Sequence, residues 1–273
     1  MIKIFFYGIL YLIMMIKVQG GTFDMGSLTG MADERPVHSV TLSDFLIEDH
    51  TVTQKEWTEL MGSNPSYFTI DSGGEHASQR PVERVSQYDG FIYCNKRSIK
   101  EGLTPCYLIY DSVNPENWGE APENPDRFWN NTVCHWGANG YRLPTEAEWE
   151  FAARGGLKEK DYLTKKYCDT SNTWNKTNSG MTAHEVCLKK PNALGIYDMC
   201  GNVWEMCWDW NSCYTAAAAT NPHGRSSGTL EDSRIGRGGS WNSYDTDCSP
   251  FFRNGGLPTF RYSFIGIRVV RNK

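Results

Sequence analysis

The side chains able to carry chemistry are numerous in this sequence but seldom grouped. Nine cysteines stand at positions 94, 106, 134, 168, 187, 200, 207, 213 and 248. None form a Cys-x-x-Cys pair, so the spacing of a zinc ribbon is absent. The odd number leaves at least one thiol outside any intrachain disulfide. The others serve equally as disulfide partners in an exported protein or as small core residues. His38, His50, His135, His184 and His223 are scattered, without the HExxH or H-x3-H-x-E spacing of a metal site. There is no Gly-x-Ser-x-Gly elbow and no phosphate-binding loop. Residues 145–150 (TEAEWE) place three carboxylates at the start of a helix, where capping and solvation explain them more simply than acid/base chemistry does. Residues 198–205 (DMCGNVWE) have the makings of a calcium loop. Calcium prefers hard oxygens and mixes carboxylates with backbone carbonyls in irregular loops. Asp198 and Glu205 supply the first kind, and Gly201 and Val203 the second. The simpler alternative is a turn packed by Trp204, with Glu205 satisfied by backbone amides.

The chain that must position these groups has 273 residues, 40% hydrophobic and 22% charged, so a packed core is expected. Ten Trp and 26 Gly point to a loop-rich mixed fold rather than a helical bundle. A net charge of −5 without any Lys/Arg run argues against nucleic-acid binding, which needs a basic excess to neutralise phosphates. Residues 1–16 (MIKIFFYGILYLIMMI) carry an apolar run shorter than the roughly 20 residues that span a bilayer. The run fits a secretory signal, with export slightly favoured, or else a hydrophobic first element of the fold. No membrane-spanning segment is expected.

No linker or repeat divides the rest, so residues 17–273 are read as a single domain. Residues 37–45 (VHSVTLSDF) alternate like a half-buried strand. Three helices are expected: residues 53–61 capped by Thr53, residues 86–99 opened by Ser86 with Gly102 near the end, and residues 145–154 capped by Thr145 and stopped by Gly155-Gly156. Residues 265–270 (IGIRVV) close the chain as a strand. Few helices, short strands and long ordered loops define an α+β fold.

Several segments carry a family resemblance in one order along the chain: GGTFDMGS (20–27), DERPVHSVTLSDF (33–45), RPVERVSQYDGFIYCN (80–95), GYRLPTEAEWEFAARGG (140–156), PNALGIYDMCGNVWEMCWDW (191–210) and RGGSW (237–241). Together they resemble the formylglycine-generating-enzyme, or sulfatase-modifying-factor, family over nearly the whole chain. The resemblance implies a C-type-lectin-like fold. It also implies a structural calcium on Asp198, Gly201, Val203 and Glu205, and a weaker second site at Asn172 and the Thr173 carbonyl. Oxidising enzymes of the family carry two cysteines five residues apart, which bind copper(I) and convert a substrate cysteine to formylglycine. Two soft thiolates suit copper(I). Here Cys248 holds the second position and Ser243 the first. A serine hydroxyl is a hard, weakly acidic ligand, so no copper is expected and the chain is read as a non-enzyme.

Residues 235–271 also resemble the variable region of diversity-generating-retroelement variable proteins, in which Asn codons are mutated at adenines within a fixed frame. The frame here is Arg237, Gly238, Gly239, Ser240, Trp241, Cys248, Arg253, Pro258, Arg261 and residues 265–270. Between its members lie Ser243, Tyr244, Asp247, Phe252, Asn254, Gly256, Leu257, Phe260, Tyr262, Ser263 and Phe264, each reachable from an Asn codon by adenine substitution. Independently, the aromatics Phe251, Phe252, Phe260, Tyr262 and Phe264 sit in a Gly/Pro/Ser-rich stretch without helical or strand period. Rigid aromatics on a fixed scaffold are efficient contact residues. About half are expected to be exposed, and replacing Tyr244, Phe252, Phe260, Tyr262 and Phe264 by Ser should hardly change stability. Arg253, Arg261 and Arg268 are expected to hold the loops by donating to backbone carbonyls. Two functions follow. One is a binding protein for a protein or cell-surface ligand through the listed positions; the other is a divergent oxidase acting through Cys248 alone.

Overall fold

A computed structural model describes residues 15–158 and 169–273. The signal-like reading of residues 1–16 therefore lies almost wholly outside the described residues. Its last two, Met15 and Ile16, begin strand β1 (Met15–Val18).

Short strands form small sheets, as an α+β chain of this composition should. One sheet orders β1, β4 (Phe45–Glu48), β13 (Val270–Asn272) and β7 (Tyr141–Arg142). A second pairs β2 (Gly21–Met25) with β3 (His38–Leu42), and β3 with β9 (Ala219–Thr220). A third orders β11 (Arg253–Gly256), β10 (Arg234–Arg237), β8 (Trp204–Trp210) and β12 (Ile265–Gly266). The smallest pairs β5 (Tyr107–Leu108) with β6 (Val133–Cys134). Strand β8 is buried at every residue, because β10 and β12 flank it while two helices pack on it.

Those helices are α2 (Gln87–Lys100) and α4 (Glu146–Ala153), joined by α1 (Gln54–Met61) and the single turn α3 (Arg127–Asn130). The three expected N-caps are present. Thr53, Ser86 and Thr145 each accept from the backbone N–H three residues on, and Glu56, Asp89 and Glu148 reach back to the cap, closing full capping boxes.

Two strand expectations need correction. The alternation over residues 37–45 is interrupted at Ser43-Asp44, so β3 and β4 join different sheets. Residues 265–270 likewise divide into β12 and the start of β13, which pair with different neighbours. At the first break two exposed residues, Ser43 and Asp44, stand together, and at the second all of residues 265–270 are buried, so no change of period marks the division. The core forms two clusters: one around α2, β8 and residues 265–269, the other around β1–β4 and α4.

Candidate functional site

The C-terminal segment is held largely by its backbone. Gln87 N donates to the Pro258 carbonyl at 3.0 Å, Arg84 N and Ile265 N to that of Tyr262 at 3.0 Å each, and Trp204 N to that of Phe264 at 2.8 Å. The Trp241 indole N–H donates to the Ser263 carbonyl at 2.9 Å. Further back, Lys176 N binds the Ser243 carbonyl at 2.9 Å, and Asp247 N the Tyr244 carbonyl at 3.0 Å. Every residue type offers a backbone carbonyl, so these anchors survive substitution of the side chain.

Four arginines supply the rest of the hold. Arg253 grips Glu146 through Nε at 2.6 Å and Nη2 at 2.9 Å, with Nη1 on the Asp33 carbonyl at 2.9 Å. Arg261 forks onto Asp89 at 2.7 and 3.1 Å and reaches the carbonyls of Ala121 and Pro122. Arg268 forks onto Glu205 at 2.9 and 2.7 Å and donates to the carbonyls of Glu48 and Tyr197. Arg237 joins Glu150 to the carbonyls of Phe251 and Phe252. The expected carbonyl contacts are present, but each arginine also binds a carboxylate, the bidentate use for which a guanidinium is shaped.

This corrects the reading of residues 145–150. Glu146, Glu148 and Glu150 are buried rather than solvated. Glu148 does cap α4, but it also pairs with Arg142 at 2.7 Å, and Glu150 lies between Arg154 and Arg237. Burial alone would raise the Glu146 carboxyl; Arg237 and Arg253 outweigh it and hold the group below its ordinary value. Helix α4 thus fixes two of the four arginines, Arg237 and Arg253, while α2 and β8 hold Arg261 and Arg268.

The intervening positions divide. Tyr244, Asn254 and Tyr262 are exposed, Tyr244 at 61% and Tyr262 at 47%. Asp247, Gly256, Leu257 and Ser263 are partly exposed. Phe252, Phe260 and Phe264 are half-buried and pack on the first core cluster, with Phe252 5.9 Å from the Trp204 ring. Of Phe251, Phe252, Phe260, Tyr262 and Phe264 only Tyr262 is exposed, fewer than the expected half, and a stability-neutral replacement of Tyr244, Phe252, Phe260, Tyr262 and Phe264 together is not to be expected. An aromatic row runs Phe260–Tyr262 at 5.1 Å and Tyr262–Phe264 at 5.2 Å, the latter pair stacked. Ser243 is the clear exception to an outward-facing set. It is buried, and its hydroxyl accepts from Ser240 N and meets the Ser240 hydroxyl, both at 3.1 Å.

Cys248 meets the same residue as Ser243, its Sγ donating to the Ser240 carbonyl at 3.8 Å. Burial pushes its thiol up to about 12, so it stays protonated at neutral pH. Gly239 (φ +77°) admits it: a β-carbon there would stand 2.7 Å from the sulfur. Six other cysteines in the described residues are free thiols, and Cys200 is disulfide-bonded.

The two carboxylates of the calcium set have protein partners in this structure. Glu205 is bound on both oxygens by Arg268, and its Oε2 also accepts from the Trp149 indole at 2.6 Å. A guanidinium already neutralises that carboxylate and would repel calcium beside it. Asp198 accepts from Cys187 N at 2.9 Å and keeps one buried oxygen without a partner. At the weaker site, Asn172 accepts from Asp169 N at 2.8 Å, and the Thr173 carbonyl accepts from Asn178. No group of three or more His, Cys, Asp or Glu suited to a metal exists among the described residues.

Two neighbours of the face were not anticipated. Lys176 lies 4.4 Å over the Tyr244 ring and donates to its hydroxyl at 3.1 Å. Residues 62–70, which follow α1, set Phe68 edge-on against Trp241 at 5.3 Å and leave Tyr67 and Ile70 exposed at 66% and 79%. An aromatic pair inside the Asn/Pro/Ser run NPSYFT was the available signal, of the same kind as in the C-terminal segment.

Comparison with known proteins bears on this geometry. Residues 12–273 match the model of the sulfatase-modifying factor enzyme 1-like domain. The chain belongs to this family. The solved structure of Treponema denticola variable protein 1 superposes with a TM-score of 0.86, 34% identity and 95% coverage of both chains. The fold is therefore the C-type-lectin-like one, shared with that variable protein. Among curated relatives, chaperone protein LppX of Paenibacillus barcinonensis is 38% identical, covering 95% of this chain and 89% of its own. The formylglycine-generating enzyme of Thermomonospora curvata is 31% identical, covering 87% and 85%. For a member of the sulfatase-modifying factor family, Ser243 and Cys248 are where oxidase chemistry would be sought. One protonated, buried thiol, with a serine at the other position, does not fit copper(I), which two thiolates hold. No helix among the described residues is long and apolar enough to cross a membrane.

Proposed function

We propose that this chain is a ligand-binding protein that displays a diversified surface, residues 235–271, on its C-type-lectin-like scaffold. One observation carries the reading: the segment is held by backbone carbonyls and frame arginines, which leaves side chains such as Tyr244, Asn254 and Tyr262 free to differ without disturbing the fold. Tyr244, Asp247, Phe252, Asn254, Gly256, Leu257, Phe260, Tyr262, Ser263 and Phe264 form the contact set; Ser243, being internal, belongs with the frame. The ligand is a protein or cell-surface molecule, since exposed aromatics anchor such interfaces. The name of the Paenibacillus relative, a chaperone protein, supports a protein ligand. A net charge of −5 leaves nucleic acid outside the proposal. Copper has no part in it.

Deep sequencing of codons 235–271 across isolates of the source organism tests the proposal. Substitutions at adenine positions, confined to the contact set, are expected beside a near-copy of the segment and a reverse transcriptase. An invariant segment, or changes spread evenly over frame and contact codons, would overturn diversification.

The likeness to a formylglycine-generating enzyme favours a second reading, an oxidase acting through Cys248. Incubation with copper and a cysteine-containing sulfatase peptide decides it. No aldehyde is expected, and robust turnover would reinstate the enzyme.

A further inference from the structure

Glu83 is a fully buried carboxyl that the binding reading leaves unused. It precedes Arg84, whose N–H anchors the Tyr262 carbonyl, and it lies beneath residues 62–70 at the edge of the binding face. Its Oε1 accepts from Tyr67 N at 2.5 Å and Phe68 N at 2.9 Å, while Ser66 Oγ accepts from Glu83 N at 3.2 Å. The same segment is tied to α1 by Gln54, which donates to the Phe68 carbonyl at 3.1 Å, and it leans on Trp241 through Phe68. The second carboxyl oxygen, Oε2, is buried without a hydrogen-bond partner. A buried carboxylate with an unmet oxygen carries a large desolvation cost, which protonation removes.

We propose that Glu83 is a proton-controlled positioning residue: protonated, it docks residues 62–70 against Trp241, and ionised, it loosens them. The loop contributes Ser66 and Tyr67 and the C-terminal segment Tyr262; Arg84, exposed, is the charged group that bears on the carboxyl. Burial pushes the Glu83 carboxyl up to about 7 from an ordinary value of 4.5, and the two N–H bonds and Arg84 offset this only in part. The sign follows from which state keeps the proton. Between those two values the docked loop retains it, while a loop lifted into water has lost it. Docking is therefore strongest below the ordinary value and weakens as pH rises through about 7. The consequence for capture, a face walled by Tyr67 and Phe68 in mild acid and slacker above neutrality, rests on the binding reading. The docking itself does not.

Amide hydrogen exchange of Tyr67 and Phe68 between pH 5 and 8.5, each referred to interior amides of α2, reads this directly. In the native protein their relative protection is expected to fall by about tenfold or more, the change one unit of pKa difference produces. Glu83→Gln, an uncharged isostere, should hold the acid-side protection at every pH, and Glu83→Asp, one methylene short, should lose it at every pH. A native profile parallel to the α2 amides, or a Glu83→Gln profile with the native slope, would overturn the proposal and leave the binding reading untouched.

Discussion

Arg253 and Asn254 are adjacent in β11, and the strand sends them to opposite faces. Arg253 is buried in its grip on Glu146, whereas Asn254 is exposed. The same division recurs at Arg261, forked onto Asp89, and Tyr262, exposed beside it. One set of residues spends its interactions inward on charged partners far away in sequence. The other is tied to the fold mainly through its backbone. The difference teaches how one segment can be both rigid and permissive: what fixes it is chemically separate from what it shows.

Breaking the frame should produce the largest effects. Arg268→Met leaves Glu205 buried without its counter-charge, and truncating one partner of such a pair costs about 3–5 kcal/mol in a denaturant melt. The loss should be equal in calcium and in EDTA; a calcium-dependent loss would revive Glu205 as a ligand. Trp241→Ala follows at about 3 kcal/mol, for a buried indole that also braces Phe68. Phe252→Ser, Phe260→Ser and Phe264→Ser test the middle ground, because these rings are half-buried on the core. Each should cost about 1 kcal/mol. Tyr244→Ser and Tyr262→Ser should stay within about 0.5 kcal/mol of the parent. A Tyr262→Ser loss as large as that of Trp241→Ala would erase the distinction between frame and face.

How much of this could be read from sequence depended on how local the physics was. The capped starts of α1, α2 and α4 were legible, because a capping box closes within three residues. The frame positions were legible too, through the motif order around residues 237–241. The partners of the arginines were not. Glu146 meets Arg253 across 107 positions, and nothing near Glu146 in sequence distinguishes it from a solvated helix-start carboxylate. The partner of Glu205 was hidden for the same reason, since Arg268 lies 63 positions away. Ser243 was placed on the face because its codon fits, yet its hydroxyl completes a turn with Ser240. Residues 62–70 were missed because their place beside Trp241 is purely tertiary.

The central claim, a rigid frame carrying a tolerant face, is tested most directly by two yeast-displayed libraries compared for the folded fraction under a protease challenge. One randomises Tyr244, Asp247, Asn254, Leu257, Tyr262 and Ser263; the other randomises Arg237, Gly238, Gly239, Trp241, Arg253 and Arg268. The account predicts that most members of the first resist protease like the parent and almost none of the second do. Comparable survival in the two libraries would contradict it.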